Sequence, residues 1–297
     1  MNNTDAMVFL KKLNHAQLER LKFIEFQLYF MGEIARSILI KKFRIAPAGA
    51  TRDLACYREL APNNIIFDNR HKIYRINHDF KPLFFHPTQY VLSELTRNMD
   101  NPLEDSIPFQ ISNESPSILN YPNIDVLASL CRSIKAGTPL DIDYYSMSSG
   151  KTHRVIVPFA LVDTGLRWHV RAFDRKSQEF RDFVINRIEN PVQLNESSKH
   201  YELPEKDIQW MRIIELELVP HPRLNHPEII EKDFGMSNGK LIFHVRAAIA
   251  GYMLQRWSID SSSDHCLTGE NFRLWLKDPL VLYGVENAHL APGYNSK

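Results

Sequence analysis

The sequence predicts an α+β chain of three folded parts. Three patterns predict it. Apolar residues recur at helical spacing to about residue 60 and are followed by one short hairpin; four strands crowd between residues 140 and 188; strands and helices mix after residue 195. The boundaries expected are 1–85, a connecting stretch 86–122, 123–194 and 195–297.

A length of 297 residues fits two or three domains, and 44% hydrophobic residues can fill a core in each. No apolar run reaches the roughly 18 residues of a membrane span. The opening MNNTDAMVFLKKLN lacks the pattern of a secretory leader, so no membrane partner and a cytoplasmic location are expected. Cys56, Cys131 and Cys266 lie far apart with no ligand or redox spacing, and are expected as reduced, half-buried thiols. The net charge of +1 hides an asymmetry: residues 1–85 hold 14 Lys/Arg against 8 Asp/Glu, residues 86–140 hold 3 against 6. A basic segment ahead of an acidic one points to a polyanionic partner for the first part.

Within residues 1–85, Leu18, Leu21, Phe23, Ile24, Phe26, Leu28 and Phe30 predict a helix over 14–34. Ile34, Ile38, Leu39 and Phe43 predict a second over 33–43, with Lys41 and Lys42 suiting its C-terminal dipole. A tight turn, residues 44–46, leads to a third helix opened by Pro47, with Leu54 and either Tyr57 or Cys56 inward. Its first turn is built of small residues, Ala48, Gly49, Ala50 and Thr51, which allow a close approach to a groove, and Arg52 is placed to reach a guanine edge. Alternation at residues 65–67 and 73–76 around the turn 68–72 predicts a hairpin carrying Arg70, His71 and Lys72. This is the element order of a winged helix-turn-helix, with Ala48, Gly49, Thr51, Arg52, Arg70, His71 and Lys72 as candidate DNA contacts. Taken singly, each of these charges is more often plain surface; order and placing together favour DNA.

Pro87, Pro102, Pro108, Pro116 and Pro122 make 86–122 a linker, with one possible short helix at 89–99. A helix over 123–135 is expected to turn Leu127, Leu130, Cys131 and Ile134 inward and to end at Gly137. Strands at 140–146, 154–162, 166–174 and 180–188, joined by short turns, suggest a small barrel or strongly bent sheet. Period-two alternation puts Leu166, Trp168, Val170 and Ala172 on one face and Arg167, His169, Arg171 and Phe173 on the other; Arg181, Phe183, Ile185 and Arg187 share a face of the last strand. Such a basic face is either solvated or aimed at an anion.

Tyr144-Tyr145-Ser146, His153-Arg154 with Pro158, Arg167-Trp168-His169-Val170-Arg171, and Phe180-Arg181-Asp182-Phe183 with Arg187-Ile188 resemble the WYL domain, an Sm-like β-barrel of bacterial regulators. The whole chain resembles the BrxR/CapW-type repressors of phage-defence operons. The namesake Trp-Tyr-Leu triplet reads Trp168-His169-Val170 here, which keeps the core face and exchanges a phenol for a titratable ring on the other. The resemblance implies a nucleotide or oligonucleotide effector bound by Tyr145, Ser146, His153, Arg154, His169, Arg171, Arg181 and Arg187. It also implies a C-terminal part, residues 195–297, that pairs two subunits into a homodimer on an inverted-repeat duplex. Arg forks suit phosphate and Tyr145 can stack on a base, though register leaves open whether Tyr144 or Tyr145 faces the pocket.

In the C-terminal part a strand is expected at 213–219, a helix from Pro227 to Phe234 stopped by Gly235, a strand at 240–246 and a helix at 247–257. His221, His226, Glu228 and Asp233 match no metal-ligand spacing, and no cofactor is implied. No GxxxxGK, GxGxxG, HExxH or GxSxG occurs, and no carboxylate is placed by sequence to orient a Ser146–His153 pair, so no catalytic residue is expected. The competing reading is a nuclease or nucleic-acid-binding accessory subunit of a defence complex, which would need paired carboxylates around a metal.

Overall fold

The computed structural model describes residues 9, 10, 13–96 and 119–295, and the chain divides into two compact units, Met1–Pro116 and Ser117–Lys297.

In the first unit helix α1 (His15–Phe26) begins where the Asn14 side chain accepts the Gln17 N–H. It runs on as a wider π turn, Gln27–Met31, and Gly32, at φ +81°, ends it. The helix expected through residue 34 therefore stops at Met31. Glu33–Ile34 is instead a strand, β1, and helix α2 (Arg36–Phe43) is shorter than 33–43. Arg44, at φ +50°, reverses the chain, and α3 (Pro47–Leu60) opens on Pro47. Strands β2 (Ile65–Asp68) and β3 (Ile73–Ile76) form the expected hairpin, which β1 extends to a sheet of order β1-β3-β2. Leu21, Ile24, Leu28, Ile34, Leu39, Leu54 and Tyr57 are fully buried, each apolar side chain contributing about 1.5–3 kcal/mol. Tyr57, not Cys56, is thus the inward residue of α3. Helix α4 (Thr88–Thr96) covers the start of the short helix expected at 89–99; the rest, with Pro102, Pro108 and Pro116, lies outside the described residues.

In the second unit α5 (Ile124–Ala136) is capped by the Asn123 side chain on the Asp125 and Val126 N–H groups and ended by Gly137 at φ +63°. Its buried ridge is Val126, Leu130 and Ser133, with Leu127 and Ile134 packed beside it. Cys131, expected inward, is one residue off that ridge and is exposed; Cys266 is exposed too, and only Cys56 is half-buried. Strands β4 (Leu140–Ser146), β5 (Gly150–Asp163), β6 (Trp168–Asp174), β7 (Glu179–Val184) and β8 (Ile188–Gln193) form one antiparallel sheet of order β7-β6-β5-β4-β8. Irregularities between Asp141 and Asp143 and between Pro158 and Ala160 bend it. The strand expected over 180–188 is two: a 3-10 turn, Ile185–Arg187, interrupts it, so Arg187 does not share a strand face with Arg181.

After the short helix α6 (Ile208–Met211), strand β9 (Ile213–Pro220), helix α7 (Pro227–Asp233), strand β10 (Leu241–Arg246), helix α8 (Ala247–Arg256) and strand β11 (Leu274–Leu276) follow, with sheet order β10-β9-β11. Of these, α6 and β11 were not expected from the sequence. His226 pairs with Glu228 at the surface, whereas buried His221 lies 3.1 Å from Asp260. Gly251 of α8 lies against Asn287: its N–H donates to the Asn287 Oδ1 at 3.0 Å, and a Cβ on it would sit 2.0 Å from the Asn287 carbonyl oxygen. Gly251→Ala is therefore expected to cost about 1–3 kcal/mol by overpacking. A urea midpoint unchanged from the parent chain would contradict that.

Candidate nucleic-acid interface

The first turn of α3 presents Pro47, Ala48, Thr51 and Arg52 to solvent, with Gly49 half-buried between them. Its opposite face is pinned by two polar ties. Arg20 of α1 donates from Nε to Asp53 Oδ2 at 2.6 Å and from Nη2 to Oδ1 at 3.4 Å. One turn on, the Tyr57 hydroxyl donates to Glu25 Oε2 at 2.8 Å. The Glu25 carboxylate, fully buried, also accepts the backbone N–H groups of Leu83 and Phe84, each at 2.8 Å, and lies 3.0 Å from His86 Nε2. Asn64 closes the network, donating to the Tyr57 oxygen and to the Lys81 carbonyl. Burial and the Glu25 carboxylate push the Tyr57 phenol far up, which keeps it a donor. The helix is thereby registered against α1 while its N-terminal turn stays open.

The hairpin tip is organised by Asp68. Its carboxylate accepts the N–H groups of Arg70 at 2.9 Å and His71 at 3.1 Å, and lies 2.8 Å from the His71 ring nitrogen Nδ1 and 3.2 Å from the Arg75 Nε. The hydrogen bonds from the His71 side chain and backbone hold the Asp68 carboxyl down to about 2. His71 is thus exposed but engaged in shaping the tip. Arg52, Arg70 and Lys72 are exposed and pair with no carboxylate among the described residues. Between the start of α2, the first turn of α3 and the hairpin lies a cleft of about 410 Å³, lined by Arg36, Ser37, Thr51, Phe67, Lys72 and Tyr74 among others. Arg36, absent from the sequence reading, donates from Nη1 to Thr51 Oγ1 at 3.3 Å, and that hydroxyl donates to the Pro47 carbonyl at 3.0 Å.

The eight effector positions read from the sequence do not converge on one surface. Strand register puts Arg154 and Arg181 on the face of Ile142, Tyr144, Ile156 and Ala172, and Tyr145, His153, His169 and Arg171 on the opposite face. Tyr144 is buried and its hydroxyl accepts the Val184 N–H at 3.3 Å, so Tyr145 is the outward residue. Tyr145 donates to Glu189 at 2.9 Å, Ser146 Oγ lies 3.0 Å from Ser148 Oγ, and His153 sits 2.9 Å from Asp141 and 3.6 Å from Asp143. The carboxylates of Asp141, Asp143 and Glu189 make that patch mixed rather than basic. Arg154 is paired with Asp174, and exposed Arg181 with Glu179 at 2.6 Å.

The basic face expected on β6 is covered. His169 and Arg171 are 6% and 2% exposed. Arg171 meets Asp207 through Nε at 2.8 Å and Nη2 at 3.1 Å, and lies 3.4 Å from both Asp182 and Glu286. Burial opposes its charge, yet these carboxylates outweigh that and hold the guanidinium more firmly protonated than usual. His169 packs against Tyr252, whose hydroxyl donates to Asp182 at 3.1 Å; burial, then the charge of Arg167, pulls the His169 ring down to about 4. Asp207, Tyr252 and Glu286 come from beyond residue 195. The face read as solvated or ligand-facing is therefore the seam between the barrel sheet and the C-terminal part.

Three family models match in order: the BrxR transcriptional regulator winged helix-turn-helix domain over residues 16–95, the WYL domain over 125–193, and the BrxR transcriptional regulator C-terminal dimerization domain over 213–282. Curated relatives described as the DNA-binding transcriptional repressor CapW are similar along most of their length. The protein of Escherichia coli strain KTE188 is 30% identical over 283 residues, covering 91% of each chain. That of Stenotrophomonas maltophilia is 34% identical over 260 residues, covering 84% of this chain and 86% of its own. That of Pseudomonas aeruginosa is 30% identical over 252 residues, covering 80% and 81%. With its helix-turn-helix and hairpin, its WYL sheet and its C-terminal domain in this order, the chain belongs to the BrxR/CapW family of DNA-binding transcriptional repressors.

Proposed function

We propose that the protein is a homodimeric repressor that sets two α3 helices into successive major grooves of an inverted-repeat operator, with the Asp68–Lys72 tips on the flanking backbone. The observation that carries this reading is α3 itself: its N-terminal turn is open and cationic at Arg52, while Asp53 and Tyr57 are locked to α1 from behind. The match to a C-terminal dimerization domain supports pairing. Autoregulation of a phage-defence operon belongs to this reading. So does an anionic nucleotide or oligonucleotide acting at the WYL domain and binding the DNA-competent and DNA-free states unequally. Of the eight effector positions, Tyr145, Ser146, His153, Arg154, Arg181 and Arg187 are open to solvent at least in part; His169 and Arg171 serve the internal seam.

Footprinting of the region upstream of its own gene, with and without short oligonucleotides, tests the reading. Two protected half-sites centred roughly 34 Å apart are expected, and a uniformly unprotected region would sink it. Arg52→Ala is expected to weaken operator binding about 5- to 150-fold, the loss of one bidentate base contact of about 1–3 kcal/mol. Arg181→Ala and Arg187→Ala are expected to leave operator affinity alone and blunt the oligonucleotide response. Cleavage of labelled duplex in Mg²⁺ that disappears with one carboxylate would favour the nuclease reading instead.

A further inference from the structure

We propose that the cleft between α2, α3 and the hairpin seats one backbone phosphate of duplex DNA, gripped by Arg36 from one side and Lys72 from the other. This rests on the DNA-reading role of α3 proposed above and adds to it a contact on the helix that precedes the reading helix. Arg36 occupies the first turn of α2, whose N-cap, Ala35, supplies no side chain to the free N–H groups there, so the local field favours an anion. Its guanidinium is aimed by Thr51 Oγ1, and Thr51 is itself tied to Pro47. One edge of a five-donor fork is thus committed to orientation, while the remaining N–H groups meet no carboxylate among the described residues.

Lys72 reaches the same cleft from the hairpin. Its backbone, at φ +57°, is fixed by its N–H bond to the Asp68 carbonyl at 2.9 Å, so the ammonium starts from a rigid turn. Phe67 and Tyr74, with ring centroids 4.7 Å apart, line the cleft with apolar surface, and its lower polarity strengthens attraction between the two cations and an anion. Two cations and the hydroxyls of Ser37 and Tyr74 around a concave opening suit a tetrahedral oxyanion better than the flat edge of a base. Such a contact sets register and carries no sequence information.

Salt dependence of binding to a mixed-sequence duplex, read by fluorescence anisotropy in increasing KCl, separates this role from base reading. Each phosphate contact contributes about 0.9 to the slope of log affinity against log salt. Arg36→Ala and Lys72→Ala are each expected to flatten the slope by about 0.9, and the double variant by about twice that. Arg36→Lys should keep it. In none of them should the preference for the footprinted operator over the mixed duplex change, whereas Arg52→Ala should lower that preference. If Arg36→Ala and Lys72→Ala leave the slope unchanged while Arg52→Ala still weakens operator binding, the cleft lies off the backbone and only this proposal falls. If Arg36→Ala changes sequence preference at constant slope, Arg36 reads a base and the proposal is equally overturned. If all three variants bind both duplexes like the parent chain, the DNA-reading role of α3 falls with it. Arg36 and Lys72 are exposed, so parallel melting curves should coincide, and any variant that fails this is replaced by the glutamine substitution.

Discussion

Glu25→Ala is expected to cost the first unit on the order of 4 kcal/mol and to abolish operator binding. Four donors converge on this carboxylate: the Tyr57 hydroxyl, the Leu83 and Phe84 N–H groups and the His86 ring. Removing the acceptor strands them around a fully buried position, where each unpartnered donor costs about 1–3 kcal/mol. Glu25→Gln should be milder, about half as costly, because one amide oxygen still accepts while the amide nitrogen faces donors it cannot satisfy. The four tryptophans, Trp168, Trp210, Trp257 and Trp275, all lie in the second unit. Unfolding followed by helical circular dichroism should therefore shift in Glu25→Ala, while the tryptophan-fluorescence transition stays in place. A coincident, unshifted pair of transitions would show that Glu25 does not hold the unit together.

Arg171→Ala is expected to show the opposite pattern, with the tryptophan transition losing about 3–5 kcal/mol. Among the described residues Arg171 is the cation that meets Asp182, Asp207 and Glu286, and its loss leaves the buried Asp182 and Asp207 carboxylates crowded in a nearly dry seam, with Glu286 open to solvent at its edge. The sign of the pH dependence follows from Asp182. Burial raises its pKa above the ordinary 3.8, opposed by the attraction of Arg171. A carboxyl raised in the folded state favours folding most below its ordinary value and loses that contribution as pH rises through the raised one. Without Arg171 the opposing attraction disappears and the pKa rises further. The deficit of Arg171→Ala should be greatest at neutral pH and narrow as pH falls toward 4. For the same reason Asp182→Asn should be nearly neutral at pH 7. Asp207→Asn should be costly, because that carboxylate both grips the guanidinium and caps the N–H groups of Gln209 and Trp210. Equal losses in the two asparagine variants would contradict the charge asymmetry described for the cluster.

What could be read from the sequence was local. Pro47 as helix opener, the hairpin around Asp68 and the Gly137 stop each follow from backbone chemistry within a few residues. Strand β1 escaped because two residues carry no periodicity and its partners, Tyr74 and Arg75, lie some forty positions on. Phe183, Val184 and Ile185 all suit a strand, so nothing in residues 181–187 announces the turn at Ile185–Arg187. The family motifs located the WYL sheet correctly but could not say which basic residues stay wet. The covering of Arg171 and His169 depends on Asp207, Tyr252 and Glu286, 36 to 115 residues away. Arg36 carried no signal of its own, since a basic residue opening a surface helix is commonplace; only the hydrogen bond to Thr51 and the shared cleft single it out.

The Glu25 network also decides how α3 is tethered to the peptide that leaves the hairpin. The strand of peptide leaving the hairpin does not dangle from it, because Leu83 and Phe84 are knotted to the same carboxylate that grips the phenol of α3. A pull transmitted along the backbone from His86 onward thus arrives at α3 through the Glu25 carboxylate and, beside it, the Asn64 amide that holds both Lys81 and the Tyr57 phenol. Loosening that knot would release helix and tether together, so slack in one cannot be taken up without disturbing the other.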